Sequence, residues 1–163
     1  MVSHSVGDKI MSYLRQRKIF EIFAKSELSV DTDSVIISVN KNINSIKSMD
    51  RFIQKIENPS QVIVSSMGEH TLTLIIPELL VETAKSEFGK EVIDIDKNVG
   101  TIFIKCPRDV SKTPGVITYV SSLFADKNVT IYEMILSYTD FAIVVNEKHA
   151  YKMASYIKKV FGC

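Results

Sequence analysis

The order of secondary-structure signals repeats once along this chain, and the repeat restricts the possible folds more than any single motif does. Ser66 and Ser137 each open a turn that leads into a short apolar run and then a helical pattern, which ends at Gly89 and Gly162 respectively. Short runs rich in Val, Ile and Leu are typical of strands, and apolar residues three and four positions apart are typical of helices. Both halves therefore predict the order βαββα and an α+β fold.

The second copy carries this order most clearly. Thr113 is predicted to cap its first helix, with Pro114 at the first helical position, where a missing N–H group costs nothing. The predicted elements of this copy are a strand at Thr101–Cys106, a helix ending near Asn128, strands at Val129–Leu136 and Phe141–Val145, and a helix from about Lys148.

The first copy has a fourth strand, whereas the second copy ends at Cys163 without an obvious one. Its three strands are predicted at Val35–Val39, Gln61–Ser65 and the run Thr71–Ile76, and its fourth strand at Glu91–Ile95. Lys97 and Asn98 form the predicted join between the copies. We therefore expect an N-terminal helical segment at residues 1–31, a first domain at 32–97 and a second domain at 98–163.

Composition excludes several classes of protein. The chain has 163 residues, 45% of them hydrophobic, and its 20 basic and 19 acidic residues leave a net charge of +1. This balance does not favour nucleic acid or an anionic membrane as the main partner. The first residues lack the pattern of a signal peptide, and no apolar run approaches the roughly 20 residues that cross a bilayer. We expect a cytoplasmic protein that does not bind membranes and whose two cysteines, Cys106 and Cys163, are reduced.

Nothing in the sequence indicates covalent chemistry. No glycine-rich phosphate loop, metal-ligand cluster or nucleophile motif is present, so we expect no catalytic residues, no metal and no cofactor. Glu69 and His70 are adjacent, but one histidine without a nucleophile is more typical of a surface turn. The chain is predicted not to be an enzyme.

The turn at Thr113-Pro114-Gly115-Val116 predicts a niche for a small ligand. It joins an apolar strand to a helix, and a helix N-terminus offers unpaired backbone N–H groups and a positive dipole end to a carboxylate. Gly115 allows close approach because it has no Cβ. The corresponding loop of the first copy, Asn40 to Asn44, has neither glycine nor proline, so the first copy is expected to be mainly structural.

These residues resemble the tandem ACT domain, a ligand-binding fold of the regulatory ends of aspartokinases. The resemblance depends on Pro114-Gly115-Val116 after a strand, on Val129-Thr130-Ile131 opening the next strand, and on the closing helix. With the segment Arg17 to Leu28 ahead of the repeats, the chain is also similar to archaeal stand-alone ACT proteins described only as predicted regulators of amino-acid metabolism. The resemblance implies two ferredoxin-like βαββαβ domains, with antiparallel sheets covered by helices on one face, after an N-terminal helix.

The resemblance also implies a function and a site. ACT domains bind an effector, usually an amino acid, beside the turn after the first strand, often where two domains pair. The chain is thus expected to bind a small molecule, to form a homodimer or higher homo-oligomer, and to act on a regulated enzyme. The ligand-binding residues that it implies are Asp109, Thr113, Pro114, Gly115, Val116, Thr130 and Ile131.

Some roles in this site remain open at the level of sequence. Asp109 can take the ammonium group of an amino acid, or it can be a solvated loop carboxylate. Arg108 and Lys112 can attract an anion, although single loop cations are usually solvated. Thr130 stands where many ACT domains have Asn, which leaves that side-chain hydrogen bond in question.

Two other functions are alternatives to the binding of an effector. One is a constitutive dimerisation or scaffold module without an effector. The other is a transcription regulator that uses Arg15, Arg17 and Lys18 on a helix at Gly7–Lys25, although no second helix of a helix-turn-helix motif is apparent. A bent helix across the sheet edge, or a subunit contact, is the interpretation that we favour for this segment.

Overall fold

The computed structural model describes residues 16–58 and 64–162. Three predictions therefore fall wholly or partly outside the described residues: the first half of the N-terminal helix with Arg15, most of the strand at Gln61–Ser65, and the state of Cys163.

The chain divides into two compact units, and one unit lies within the sequence of the other. The inserted unit comprises residues 31–101. The outer unit comprises residues 1–30 together with 102–163. Both boundaries fall inside long strands, β1 (Glu27–Asn40) and β4 (Val92–Lys105), so each strand contributes to both units. Lys97 and Asn98, the predicted join, lie within β4.

The inserted unit is built from a βαββαβ sequence of elements. Between its parts of β1 and β4 come α2 (Ile43–Gln54), β2 (Val64–Met67), β3 (Thr71–Pro77) and α3 (Val81–Phe88), with 3₁₀ turns at Glu78–Leu80 and Gly89–Glu91. Its strands are ordered β2-β3-β1-β4. The β1 and β3 strands are antiparallel, with Val35 opposite Ile76 and Ile37 opposite Leu74.

Strand alternation builds the core of the inserted unit. Side chains two residues apart point to the same face of a sheet, and Val35, Ile37 and Val39 of β1 all lie in one buried cluster. Phe52 of α2 and Phe88 of α3 belong to the same cluster, with ring centroids 6.0 Å apart. Both helices of this unit therefore cover the same face of its sheet.

A polar cluster joins the two helices of the inserted unit. The Glu87 carboxylate of α3 accepts hydrogen bonds from Arg51 and is paired with Lys55, while the Glu87 backbone carbonyl accepts from the Ser48 hydroxyl at 2.7 Å. The hydrogen bond from Lys55, followed by that from Arg51, lowers the pKa of Glu87 below its usual 4.5. The charged form of Glu87 therefore stabilises the folded state.

Replacing Glu87 by Gln should destabilise the protein in a pH-dependent way. Because the folded pKa lies below the unfolded one, the stabilisation is fully present above the unfolded value of 4.5 and is lost as the pH falls through the folded pKa. Urea unfolding of both proteins across this range should show a free-energy gap near neutrality that closes in acid. A gap that is the same at every pH would contradict the electrostatic origin.

The outer unit follows the same plan. It contains α1, which is helical over residues 16–23, the start of β1 and the end of β4. Its other elements are α4 (Val116–Asp126), β5 (Ile131–Ser137), β6 (Asp140–Asn146) and α5 (Glu147–Phe161). Its strands are ordered β1-β4-β6-β5. The β5–β6 hairpin is antiparallel, with Leu136 opposite Phe141 and Ile131 opposite Val145.

The start of β1 supplies the strand that the second copy lacks in its own sequence. Leu28 and Val30 pack against the core of the outer unit, which also contains Ile102 and Ile104 of β4. A segment far away in sequence therefore provides the fourth strand of this unit. The α+β prediction of two ferredoxin-like units is confirmed, and the N-terminal helix precedes them.

Helix α1 packs into the outer unit. Ile19, Ile22 and Phe23 are buried in its core, and Phe23 stacks on Phe161 of α5 with ring centroids 4.3 Å apart. Phe20 meets Tyr119 and Phe161 edge to face. Burial, and after it the nearby Tyr156 and Asp126, raises the pKa of Tyr119. The apolar face of α1 therefore belongs to the core of this unit.

Truncating Phe23 should destabilise the protein strongly. Phe23 is fully buried, and Phe→Ala substitutions at such sites cost about 3–5 kcal/mol through lost burial and a residual cavity. Lys25→Ala, at an exposed position just after α1, should change the free energy of unfolding by less than about 0.5 kcal/mol. Equal effects in urea unfolding would show that α1 is not part of the folded core.

Candidate functional site

The turn before α4 differs in detail from the sequence prediction. After β4 the chain forms a 3₁₀ turn at Arg108–Lys112, and α4 begins at Val116 with Gly115 as its N-cap. Thr113 is thus not the cap, and Pro114 is not the first helical residue. Gly115 has φ 87° and ψ −1°, the left-handed conformation, which explains why glycine is needed here.

Thr113 shapes the turn from inside. It is buried, and its hydroxyl donates a hydrogen bond of 2.8 Å to the backbone carbonyl of Asp109. Its backbone N–H donates to the Val110 carbonyl at 3.3 Å. These bonds hold the 3₁₀ turn against the residues that lead into α4.

The first backbone N–H groups of α4 have no side-chain acceptor. The first bond of the helix runs from the Tyr119 N–H to the Gly115 carbonyl, so the N–H groups of Val116, Ile117 and Thr118 lie ahead of the helical ladder. No side chain caps them, and the first turn carries no acidic residue. The positive end of the helix dipole is left uncompensated by protein groups.

These N–H groups border a hollow, here called the α4 hollow. It has a volume of about 350 Å³ and an uncharged lining: Val110, Ser111, Thr113, Pro114, Gly115, Val116, Ile117, Thr118 and Leu136. No Lys, Arg, Asp or Glu is among these residues. The hollow can therefore offer backbone hydrogen bonds and apolar surface, but no ion pair from a side chain.

Four of the seven residues implied by the resemblance line the hollow, and three do not. Thr113, Pro114, Gly115 and Val116 surround it. Asp109 is exposed on the 3₁₀ turn, and Thr130 and Ile131 follow the opposite end of α4. Because α4 has 11 residues, that end is about 16 Å from Gly115.

Several lining residues were missed by sequence reasoning. Leu136 comes from the end of β5, and Ile117 and Thr118 from the first turn of α4. The sequence held a signal for Leu136. Helix α4 runs back along the sheet, so β5 starts beside the end of α4 and ends beside its start, where Leu136 lies. Ile117 and Thr118 follow from helix geometry, because the first N–H groups of any α-helix have no partner within the helix.

The corresponding helix start in the inserted unit is closed by its own side chains. The Asn42 side chain accepts from the N–H groups of Asn44 and Ser45, and the Ser45 hydroxyl accepts from the N–H of Asn42. Asn42 also donates to Glu91 at 2.7 Å, and Lys41 donates to the Gly68 carbonyl at 2.6 Å. A complete capping box thus occupies the place that is vacant at α4.

Other candidate sites have little chemistry around them. In a turn, His70 Nε2 lies 3.6 Å from Glu69 Oε1, and each of these side chains is 87% exposed. Within residues 16–58 and 64–162, no group of three or more His, Cys, Asp or Glu side chains is placed to hold a metal ion. In the same ranges, no helix is both long and apolar enough to cross a membrane.

Comparison with known proteins finds similarity in structure alone. No protein-family model and no curated protein matches the chain. The ligand-free regulatory subunit of aspartate kinase from Thermus thermophilus is similar with a TM-score of 0.63 and 9% identity, over 81% of this chain and 95% of that one. A structure of aspartokinase alpha and beta subunits is similar with a TM-score of 0.66 and 12% identity. The match covers 90% of this chain and 99% of that one.

A whole aspartate kinase is similar over a small part of its length. The enzyme from Synechocystis gives a TM-score of 0.68 and 16% identity, over 86% of this chain but 27% of that one. At these identities the similarity shows a shared fold. The resemblance to aspartokinase regulatory domains that the sequence indicated is thus confirmed for the fold.

Removing the Thr113 hydroxyl should weaken the turn. Thr113→Val keeps the shape of the side chain but leaves the Asp109 carbonyl without its buried donor, which should cost about 1–2 kcal/mol of unfolding free energy. Ser111→Ala removes a hydroxyl that donates to the Arg108 carbonyl at an exposed position, and should cost less than about 0.5 kcal/mol. A neutral Thr113→Val would mean that the turn is held by other contacts.

Proposed function

We propose that this protein is a non-catalytic regulator that binds an amino acid with an uncharged side chain in the α4 hollow. The observation that carries the proposal is the start of α4, which is opened by Gly115, has no side-chain cap and borders a hollow of about 350 Å³. The alternative start in the same chain, at α2, is filled by Asn42 and Ser45. The proposal assigns the site to the outer unit and a structural role to the inserted unit.

The carboxylate of the ligand would accept from the N–H groups of α4. Val116, Ile117 and Thr118 present these groups at the positive end of the helix, where an anion is stabilised. A carboxylate there does what the Asn42 side chain does at α2, with the added benefit of a full negative charge.

The lining restricts the side chain of the ligand. Val110, Val116 and Leu136 are apolar, and no charged residue of the lining can pair with a charged side chain of the ligand. The ammonium group of the ligand would donate to hydroxyl and backbone carbonyl oxygens of the lining. An unpaired charge that leaves water for such a site is costly. Small apolar amino acids therefore fit better than Lys, Arg, Asp or Glu.

A second copy of the chain would complete the site. Strand β5 is the last strand in the order of the outer unit, so its outer edge is free to pair. If two β5 strands pair antiparallel about Met134, Ile131 of each copy lies opposite Ser137 of the other, next to Leu136. This homodimer brings Thr130 and Ile131 to the hollow from the partner, although they lie at the far end of α4 within one chain.

Ligand binding in such a dimer would report to a regulated enzyme. A ligand held between two copies stabilises the paired arrangement, and the shift is limited by its differential affinity for the two arrangements. The solved structures with this fold include the regulatory subunit of aspartate kinase. We propose a role of the same kind in the cytoplasm for this chain, with the constitutive scaffold as the alternative.

A thermal-shift screen of the full chain against the twenty common amino acids tests the proposal. Ligand at a hundredfold excess over its Kd stabilises the native state by about 2.7 kcal/mol, which should raise the Tm by roughly 5–10 °C for a chain of this size. We expect a response to small apolar amino acids. A response to charged amino acids alone would overturn the ligand class, and no response at millimolar concentration would favour the scaffold.

Gly115→Leu provides the variant and Gly162→Leu its matched control. Both glycines are left-handed, with φ 87° and 70°, so both substitutions carry a backbone cost of about 1–2 kcal/mol. Gly162 ends α5, and a Cβ there would meet nothing within 4 Å. Only Gly115→Leu should abolish the thermal shift. An unchanged response in Gly115→Leu would mean that the ligand binds elsewhere.

A further inference from the structure

The two units of the chain carry opposite net charges. The outer unit has 13 Lys and Arg residues against 8 Asp and Glu, whereas the inserted unit has 7 against 11. The net charge is therefore +5 for the outer unit and −4 for the inserted unit, and their sum is the net charge of +1 of the whole chain. The balanced composition of the whole chain thus hides a basic unit, which attracts anions.

A second hollow lies in the outer unit, between the end of α4 and the outer side of α5. This α5 hollow has a volume of about 280 Å³ and is lined by Lys127, Val129, His149, Lys152, Met153 and Tyr156. Met153 is 1% exposed, and Val129 and Tyr156 are half-buried, so the floor is apolar. It is separated from the α4 hollow by the length of α4.

Basic side chains surround this floor without acidic partners. The Lys127 ammonium lies 4.2 Å from the centroid of the Tyr156 ring, a cation–π contact. No Asp or Glu lines the hollow, and neither Lys127 nor Lys152 forms an ion pair with any residue in the described part of the chain. Two unpaired ammonium groups therefore face one apolar surface.

Helix stability does not account for all of these basic residues. Lys127 is the C-cap of α4, where a cation complements the helix dipole. His149 and Lys152, however, belong to the first half of α5, where the helix dipole gives a cation no stabilisation. They lie three positions apart, on the same side of the helix as Met153 and Tyr156.

We propose that the α5 hollow is a second ligand site, for a small organic anion with a flat apolar body. Lys127 and Lys152 bind the anionic group, and the body lies on Val129, Met153 and the edge of Tyr156. The lining predicts that an aromatic phosphate monoester or carboxylate binds more tightly than an inorganic anion. The site is independent of the amino-acid site in the α4 hollow.

Phenyl phosphate and inorganic phosphate are the probes, titrated into ¹⁵N-labelled full-length protein and followed by NMR. We expect saturable shifts of the amides of Val129, Lys152, Met153 and Tyr156 with phenyl phosphate, with a Kd below about 1 mM. The Kd should rise with added salt, because the lysines are partly exposed to solvent. Inorganic phosphate binding equally well would overturn the role of the apolar floor.

Lys127→Gln/Lys152→Gln is the test variant, and Lys158→Gln/Lys159→Gln is its control. Both double variants remove two positive charges from the outer unit, but Lys158 and Lys159 lie in the last turn of α5 and do not line the hollow. Loss of the charged hydrogen bonds should weaken phenyl phosphate at least about tenfold in the first variant, and less than about threefold in the second. If both double variants weakened phenyl phosphate binding equally, the binding would depend only on the net charge of the outer unit, and the proposed site would be wrong.

Discussion

The register of β1 and β4 is the constraint on which both units depend. Each of these strands has 14 residues and crosses a unit boundary, so one strand supplies inward-facing residues to two separate cores. A slip of one residue would turn Val35, Ile37 and Val39 away from the inserted core. Each strand also carries a local contact, from the Asp33 N–H to Asp31 and from the Asn98 N–H to Asp96. These contacts mark the stretches where the strands pass from one core towards the other.

Local patterns predicted most of the elements but not their pairing. The apolar runs at Thr71–Ile76 and Phe141–Val145 and the glycines after α3 and α5 are strong local signals, and each element lies where these signals indicated. The start of β1 was missed although Leu28 and Val30 alternate with polar residues. Strand pairing between distant segments is decided by tertiary packing, which a local pattern does not contain. Hence the source of the outer unit's remaining strand could not be deduced from sequence.

The sequence predicted where the candidate site lies better than it predicted which residues line it. A proline-glycine turn between a strand and a helix identified Pro114, Gly115 and Val116 correctly as neighbours. The sequence could not distinguish a Thr113 cap from a left-handed Gly115, because both are good helix starts and the backbone angle decides between them. Asp109 is close in sequence, yet the 3₁₀ turn leaves it exposed. The lack of glycine and proline before α2 already predicted a contrast with α4, but the capping box of Asn42 and Ser45 appears only in the hydrogen bonds.

The insertion of one unit in the other has a consequence for synthesis on the ribosome. Residues 31–101 emerge as one continuous stretch and can complete their own core at once. Residues 16–30, with the buried Phe23, must wait for β6 and α5, which are synthesised after the whole inserted unit. Until then an apolar helix and an unpaired strand end stay exposed in the nascent chain. The outer unit therefore closes after the inserted unit, when α5 packs against α1.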